Sequence, residues 1–143
     1  MADYHKVGLI TVQEGRVLLC RKRTLTSKLI LPGGRLEAGE TAEACLRREI
    51  HEELGNVAAT GLSYIDTYLD RAASDDPRED KTVEIQLYQG ELRGEPVASA
   101  EIVQLIWFGA GDDWSVLSPI LVNKIFPDLY ARGIVAWTHS DGN

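Results

Sequence analysis

The 143-residue chain holds only two cysteines, Cys20 and Cys45, too few and too isolated for a disulfide framework. One falls in a strand pattern and the other in a helical one, and both read as small buried hydrophobes in a reducing compartment. No signal-peptide pattern, long apolar run or lipidation motif is present, so a cytoplasmic location is expected. Basic residues are in deficit: 15 Lys and Arg face 22 Asp and Glu, for a net charge of −7. That balance argues against duplex nucleic acid or an anionic membrane as the main partner. Small anionic ligands stay open, because a bound cation inverts the local potential. Internal repeats and linkers are missing as well. With 44% hydrophobic and 26% charged residues, residues 1–143 read as one domain able to bury its own core, as a monomer or homodimer.

What is there alternates between the periods of strand and helix. Residues 5–12 read as a strand, Gln13-Glu14-Gly15 as a hairpin turn and 16–22 as a second strand. Val17, Leu18, Leu19 and Cys20 are consecutive apolar positions, the pattern of burial on both faces. After a polar loop at 24–27, a short strand at 28–31 leads into the loop Leu31-Pro32-Gly33-Gly34. A helix is expected from about 42 to 54, with Thr41 as its N-cap and Ala42, Leu46, Ile50 and Leu54 as its apolar stripe. Strands follow at 57–72, 81–92 and 102–109. Between the first two of these lies the charged loop 74–80, the best candidate for a mobile segment. A loop at 109–114 precedes a last helix at 118–132, which Gly133 stops. Strands, helix, strands, helix predict an α+β fold with a mixed β-sheet between helices.

The chemistry gathers at the end of the first helix, in Arg48-Glu49-Ile50-His51-Glu52-Glu53-Leu54-Gly55. On a helix, Glu49, Glu52 and Glu53 share an arc of about 100°. Without a ligand this is a poor arrangement. Like charges at i, i+4 cost a few tenths of a kcal/mol, and acids near the C-terminus oppose the helix dipole by roughly 0.3–1 kcal/mol each. A solvated acidic face is the plain alternative. The arc, however, borders the apolar stripe, where a cleft would lie, and hard oxygen ligands there suit Mg²⁺ or Mn²⁺.

From Gly34 the order is five residues, Glu40, seven residues, then Arg48-Glu49-Ile50-x-Glu52-Glu53-x-Gly55. This resembles the signature of the Nudix hydrolases, G-x5-E-x7-R-E-U-x-E-E-x-G-U with U aliphatic, here over residues 34–56. Every fixed polar and glycine position is met. The last position departs, with Asn56 where an aliphatic is usual and Val57 one place later. The resemblance, to a small MutT-like single-domain member, implies an α/β/α sandwich and hydrolysis of a nucleoside diphosphate linked to another group, with Mg²⁺ or Mn²⁺. It makes Glu52 and Glu53 primary metal ligands and Glu49 a ligand or the base on water, with Glu49 and Glu53 both open as that base. Arg48 becomes the cation that orients the glutamates, and Glu40 a support for the loop or the metal shell. Gly33 and Gly34 would let backbone approach the substrate closely.

Family members often add a carboxylate ahead of a later Trp. Glu101 stands six residues before Trp107 and is the expected extra ligand, with Glu84 second. Arg21, Lys22 and Arg23 at the end of the second strand are placed to steady phosphate oxygens, a solvated strand end being the alternative. The family's downstream markers for ADP-ribose and for dinucleoside polyphosphates are missing, since that window holds Arg71, Ala72 and Ala73. Elimination leaves nucleoside triphosphates, ordinary or oxidised, cut to the monophosphate and pyrophosphate. Tyr64, Tyr68, Trp107, Phe108, Trp114 and Phe126 are candidates to stack a base or simply to fill the core. Asn123 is a candidate base reader. The competing class is a Nudix fold that senses a nucleotide without cleaving it.

Overall fold

The first strand region serves two sheets. β1 (Tyr4–Ile10) and β2 (Val12–Gln13), expected as one strand, are separated at Thr11, a buried residue whose carbonyl accepts from the Leu18 N–H at 3.3 Å. Glu14 and Gly15 then take φ of 52° and 75°, the twisted two-residue turn that suits a hairpin into β3 (Arg16–Lys22). β4 (Gly33–Arg35), α1 (Ala42–Glu53), β5 (Ala58–Arg71), β6 (Thr82–Arg93) and β7 (Ile102–Phe108) follow. The computed structural model describes residues 2–23 and 26–136. Its four-stranded sheet has the order β4-β1-β6-β5, parallel between β1 and β6 and antiparallel elsewhere. A three-stranded antiparallel sheet, β2-β3-β7, stands beside it. The mixed sheet matches expectation. The division into two sheets depends on the break at Thr11, which hydrophobic alternation does not reveal.

Period-2 alternation distributes these strands between two cores. Val7, Leu9 and Leu18 pack against Cys45, Leu46, Ile50 and Leu54 of α1. Ile10, Val17 and Leu19 face the opposite way, into a larger cluster with Phe108, Trp114, Phe126 and Leu129. Val17, Leu18, Leu19 and Cys20 are all fully buried, as their run predicts. The free thiols of Cys20 and Cys45 are buried. Most of the aromatic side chains considered for base stacking belong to these cores. Phe108, Trp114 and Phe126 lie with ring centroids 5.7–6.2 Å apart, and the buried Tyr68 donates its hydroxyl to Asp128 at 2.5 Å.

α1 begins and ends as its sequence dictates. Thr41 Oγ1 accepts from the Ala44 N–H at 3.1 Å, a cap worth about 1 kcal/mol. At the far end Gly55 and Asn56 have φ of 79° and 71°, and the Asn56 N–H returns to His51 O at 3.0 Å. This explains the departure from the signature. A left-handed residue here is strained as an aliphatic but tolerable as Asn, and the buried Val57 fills the apolar slot instead.

The last helix is less regular than its period suggests. Leu121–Ile125 is a widened π turn running into α2 (Phe126–Ala131). Pro127 has no N–H to return to the preceding turn, and the Phe126 N–H reaches five residues back to Leu121 O. Gly133, at φ 78°, stops the helix as expected, with Ile134 N–H bonded to Leu129 O at 2.9 Å. Among the described residues no helix is long and apolar enough to cross a membrane.

Candidate active site

A cavity of about 440 Å³ opens where β1, β4 and the second half of α1 meet the segments 72–79 and 118–121. Glu53 forms part of its wall and is only 4% exposed. Its Oε1 accepts from the Gly33 N–H at 3.0 Å, and its Oε2 lies 3.0 Å from Lys22 Nζ. Burial pushes the Glu53 carboxyl above the usual carboxylate range, against the pull of Lys22 and of the Gly33 N–H. Glu49, one turn earlier, lines the same cavity. Burial raises its pKa too, opposed by Arg48.

The two glycines are not a loop, as their sequence suggests, but the start of β4. Gly33 pairs with Gly8 and Gly34 with Val7. A Cβ on Gly33 would stand 2.0 Å from Val7 O, and its φ is +145°. A Cβ on Gly34 would stand 2.3 Å from Glu49 Cδ. Gly34 is therefore the space that the Glu49 carboxylate occupies. Gly34→Ala is expected to lower turnover at least tenfold while costing only about 1–3 kcal/mol of stability, because a side chain can move aside where a backbone cannot. Paired rate and thermal-unfolding measurements check this.

Arg48 answers the electrostatic cost of the acidic helix end. It forks onto Glu40, with Nε to Oε2 at 2.8 Å and Nη2 to Oε1 at 3.0 Å. It also reaches Glu37 at 2.8 Å, Glu49 at 3.0 Å and Glu52 at 3.5 Å. The hydrogen bonds from Arg48 hold the Glu40 carboxyl down at about 2. Glu40 does not line the cavity. It accepts from the Glu37 N–H at 3.4 Å, a contact within the loop before α1.

The remaining expected residues divide. Glu101 lines the cavity, and Glu84 does not, being paired with His5 Nδ1 at 3.0 Å on the surface. Glu52, its side chain 53% exposed, lies on the flank outside the cavity. Arg21 and Arg23 are also outside. Arg21 bonds Ser27 O at 2.7 Å and Gln104. The cation from that run that enters is Lys22, joined by Lys6 and Arg35. Leu18 and Lys22 are four residues apart on β3, and Leu18 faces α1, so alternation could have selected Lys22. Asn123 is also elsewhere, bonded to Asp70 Oδ2 at 3.0 Å. Ser118, which no sequence pattern singled out, is in the wall.

Glu101 is held in relation to Glu53 by main chain. Ser99 N–H bonds to Glu53 O and Val97 N–H to Leu54 O, both at 3.0 Å. As they stand, no three His, Cys, Asp or Glu side chains among the described residues converge closely enough to grip a metal ion. The donor chemistry nonetheless fits a divalent cation. Glu49, Glu53 and Glu101 all present carboxylates to one cavity, the hard oxygen donors that Mg²⁺ and Mn²⁺ take.

A family profile described as the NUDIX domain matches residues 5–112. The chain belongs to the NUDIX family. Members generally use divalent metal ions. A Haemophilus influenzae protein named 8-oxo-dGTP diphosphatase is 37% identical to it over 60 residues, 40% of this chain and 44% of the relative. The chain thus matches less than half the length of that protein. A Mycobacterium tuberculosis protein provisionally named 8-oxo-dGTP diphosphatase 2 is 32% identical over 123 residues, 78% of this chain and 83% of the relative. The crystal structure of a MutT NUDIX hydrolase from Burkholderia pseudomallei superposes with a TM-score of 0.68 at 25% identity, covering 81% of this chain and 90% of that one. Together these make the chain a MutT-like NUDIX protein with the α+β sandwich of that fold.

Proposed function

We propose that this NUDIX protein is a pyrophosphohydrolase that cuts a nucleoside triphosphate, ordinary or oxidised, to the monophosphate and pyrophosphate. The observation that carries the reading is the pair Glu49, half-buried, and Glu53, buried, on one wall of a cavity that Lys6, Lys22 and Arg35 also line. Carboxylates and fixed cations facing one cavity suit a phosphate chain and a divalent cation together. The names of the two relatives support the nucleotide class, with an oxidised guanine nucleotide the first substrate to try.

Glu53 and Glu101 would hold the cation, Mg²⁺ or Mn²⁺, with Glu52 the further carboxylate on the same helix end and Glu49 left to act as the base. When bound, the ion supplies charge neutralisation for the diphosphate and a lowered pKa for water. The chain's own residues do the rest. Lys22, Lys6 and Arg35 hold phosphate oxygens. Arg48 occupies Oε1 of Glu49, which leaves Oε2 to take the proton as the water oxygen bonds to phosphorus and the bridging P–O bond breaks. Burial, by raising the basicity of Glu49, favours that transfer.

The test is pyrophosphate release from a panel of nucleotides with Mg²⁺ or Mn²⁺ and again after chelation. Release that chelation abolishes is the expected outcome. Binding of nucleotides with no release from any of them would instead identify a sensor.

A further inference from the structure

The charged loop between β5 and β6 is fastened to the rest of the protein by hydrogen bonds at a single point. Its base is closed by the Ala72 N–H, bonded to Lys81 O at 2.8 Å. Within it, the Asp76 N–H bonds Ser74 Oγ at 3.1 Å, and the Arg78 N–H bonds Asp76 Oδ1 at 3.0 Å. The Glu79 N–H bonds Asp76 O at 3.0 Å. These bonds shape the loop but fix it to no other element. Among the described residues, the hydrogen bonds that leave residues 73–80 for another element all end on the Asp75 carboxylate. Its Oδ1 accepts from the Ser27 N–H at 2.9 Å, from Ser27 Oγ at 3.1 Å and from Thr26 Oγ1 at 3.3 Å. Its Oδ2 accepts from the same Ser27 N–H at 3.0 Å. An ionised carboxylate can only accept, and such charge-assisted bonds are stronger than neutral ones. Both sides of the joint are cavity wall: Ala72, Ala73, Ser74 and Glu79 on the loop, and the buried Thr26 across from it. Asp75 itself is exposed and lies outside the cavity.

We propose that Asp75 is a positioning residue, a latch that ties the β5–β6 loop to Thr26 and Ser27 and so sets one wall of the cavity. A segment with few anchors opens locally at small cost. A ligand that needs the wall in place binds only the latched fraction of the protein, and its apparent affinity falls as that fraction falls. Cutting the latch therefore weakens capture of the nucleotide, an effect that rests on the nucleotide reading above. It leaves Glu49 and Glu53 on α1 as they were, so the chemical step is spared.

The experiment compares the wild type with Asp75→Ala, which removes every acceptor, and Asp75→Asn, which keeps the size and one acceptor oxygen but loses the charge. Amide hydrogen exchange without nucleotide reads the latch alone. Ser27 and residues 73–79 are expected to exchange about tenfold faster or more in D75A, and by a smaller factor in D75N, with α1 unchanged. Steady-state hydrolysis of dGTP and of its oxidised form with Mg²⁺ reads the consequence. KM is expected to rise about threefold or more in D75A, with kcat within about twofold of the wild type. Thermal unfolding of both variants is expected to stay close to the wild type, because Asp75 is exposed. Unchanged exchange in D75A, faster exchange with an unchanged KM, a kcat that falls at constant KM, or a global loss of stability would each overturn the latch. Should the wild type cleave neither nucleotide, that failure belongs to the hydrolase reading, and the exchange of the loop still decides the latch.

Discussion

Glu53→Gln is expected to reduce pyrophosphate release about 10³-fold while the protein remains folded. The substitution keeps the shape of the side chain and one carbonyl-type oxygen, so the bond from the Gly33 N–H, 3.0 Å in the wild type, can persist. What disappears is the charge. Glu53 is one of the carboxylates facing the cavity, and a neutral amide neither binds a divalent cation strongly nor accepts a proton. Loss of a cation-holding carboxylate removes charge stabilisation worth several kcal/mol, which is the scale of that rate change. Lys22 also loses its partner. Its side chain is 19% exposed and its stem is long enough to reach water, so the destabilisation is expected to stay near 1–3 kcal/mol. Circular dichroism and thermal unfolding beside the rate measurement separate the two effects. A variant with near wild-type turnover would remove Glu53 from the machinery.

Gly33→Ala is expected to damage the fold itself, by more than about 3 kcal/mol. The added Cβ would meet Val7 O at 2.0 Å and Gly8 Cα at 3.0 Å, both backbone atoms of the strand that β4 pairs with. Neither can rotate away as a side chain does. The φ of +145° adds strain for any L residue. Relief requires β4 to peel from β1, which would also withdraw the N–H that orients Glu53. Denaturant unfolding is the direct measurement. A midpoint equal to the wild type would mean that the two strands can part at little cost. The neighbouring G34A, whose clash is with the Glu49 side chain, should show the reverse balance of lost activity and retained stability.

Local chemistry made much of the fold legible. The Glu14-Gly15 hairpin, the Thr41 cap, the fully buried run in β3 and the stop at Gly133 each follow from a residue's own backbone or burial preference. The signature fixed the helix end and the glutamates in the chain, but not which of them face the cavity. Glu49 and Glu53 do and Glu52 does not, because the arc they share is wide enough to straddle the cavity's edge. Two consecutive glycines read as a loop, since glycine is a poor strand former. In β4 they leave the room that the backbone of β1 takes beside Gly33 and the Glu49 side chain takes beside Gly34. In Arg21-Lys22-Arg23 all three residues are basic, so composition cannot say which points inward. Ser118 carries no signal at all until its surroundings are known.

The bonds from the Val97 and Ser99 N–H groups to Leu54 O and Glu53 O have a consequence for how this chain tolerates a change of length. They clamp residues 97–99 to the end of α1, two residues before Glu101, so an inserted or deleted residue there would shift one carboxylate past the others by a full backbone step of about 3.3 Å. The segment 74–80 has no such clamp onto α1 and is the place where extra residues can be accommodated. Extra residues at 76–80 would therefore leave the spacing between Glu53 and Glu101 unchanged.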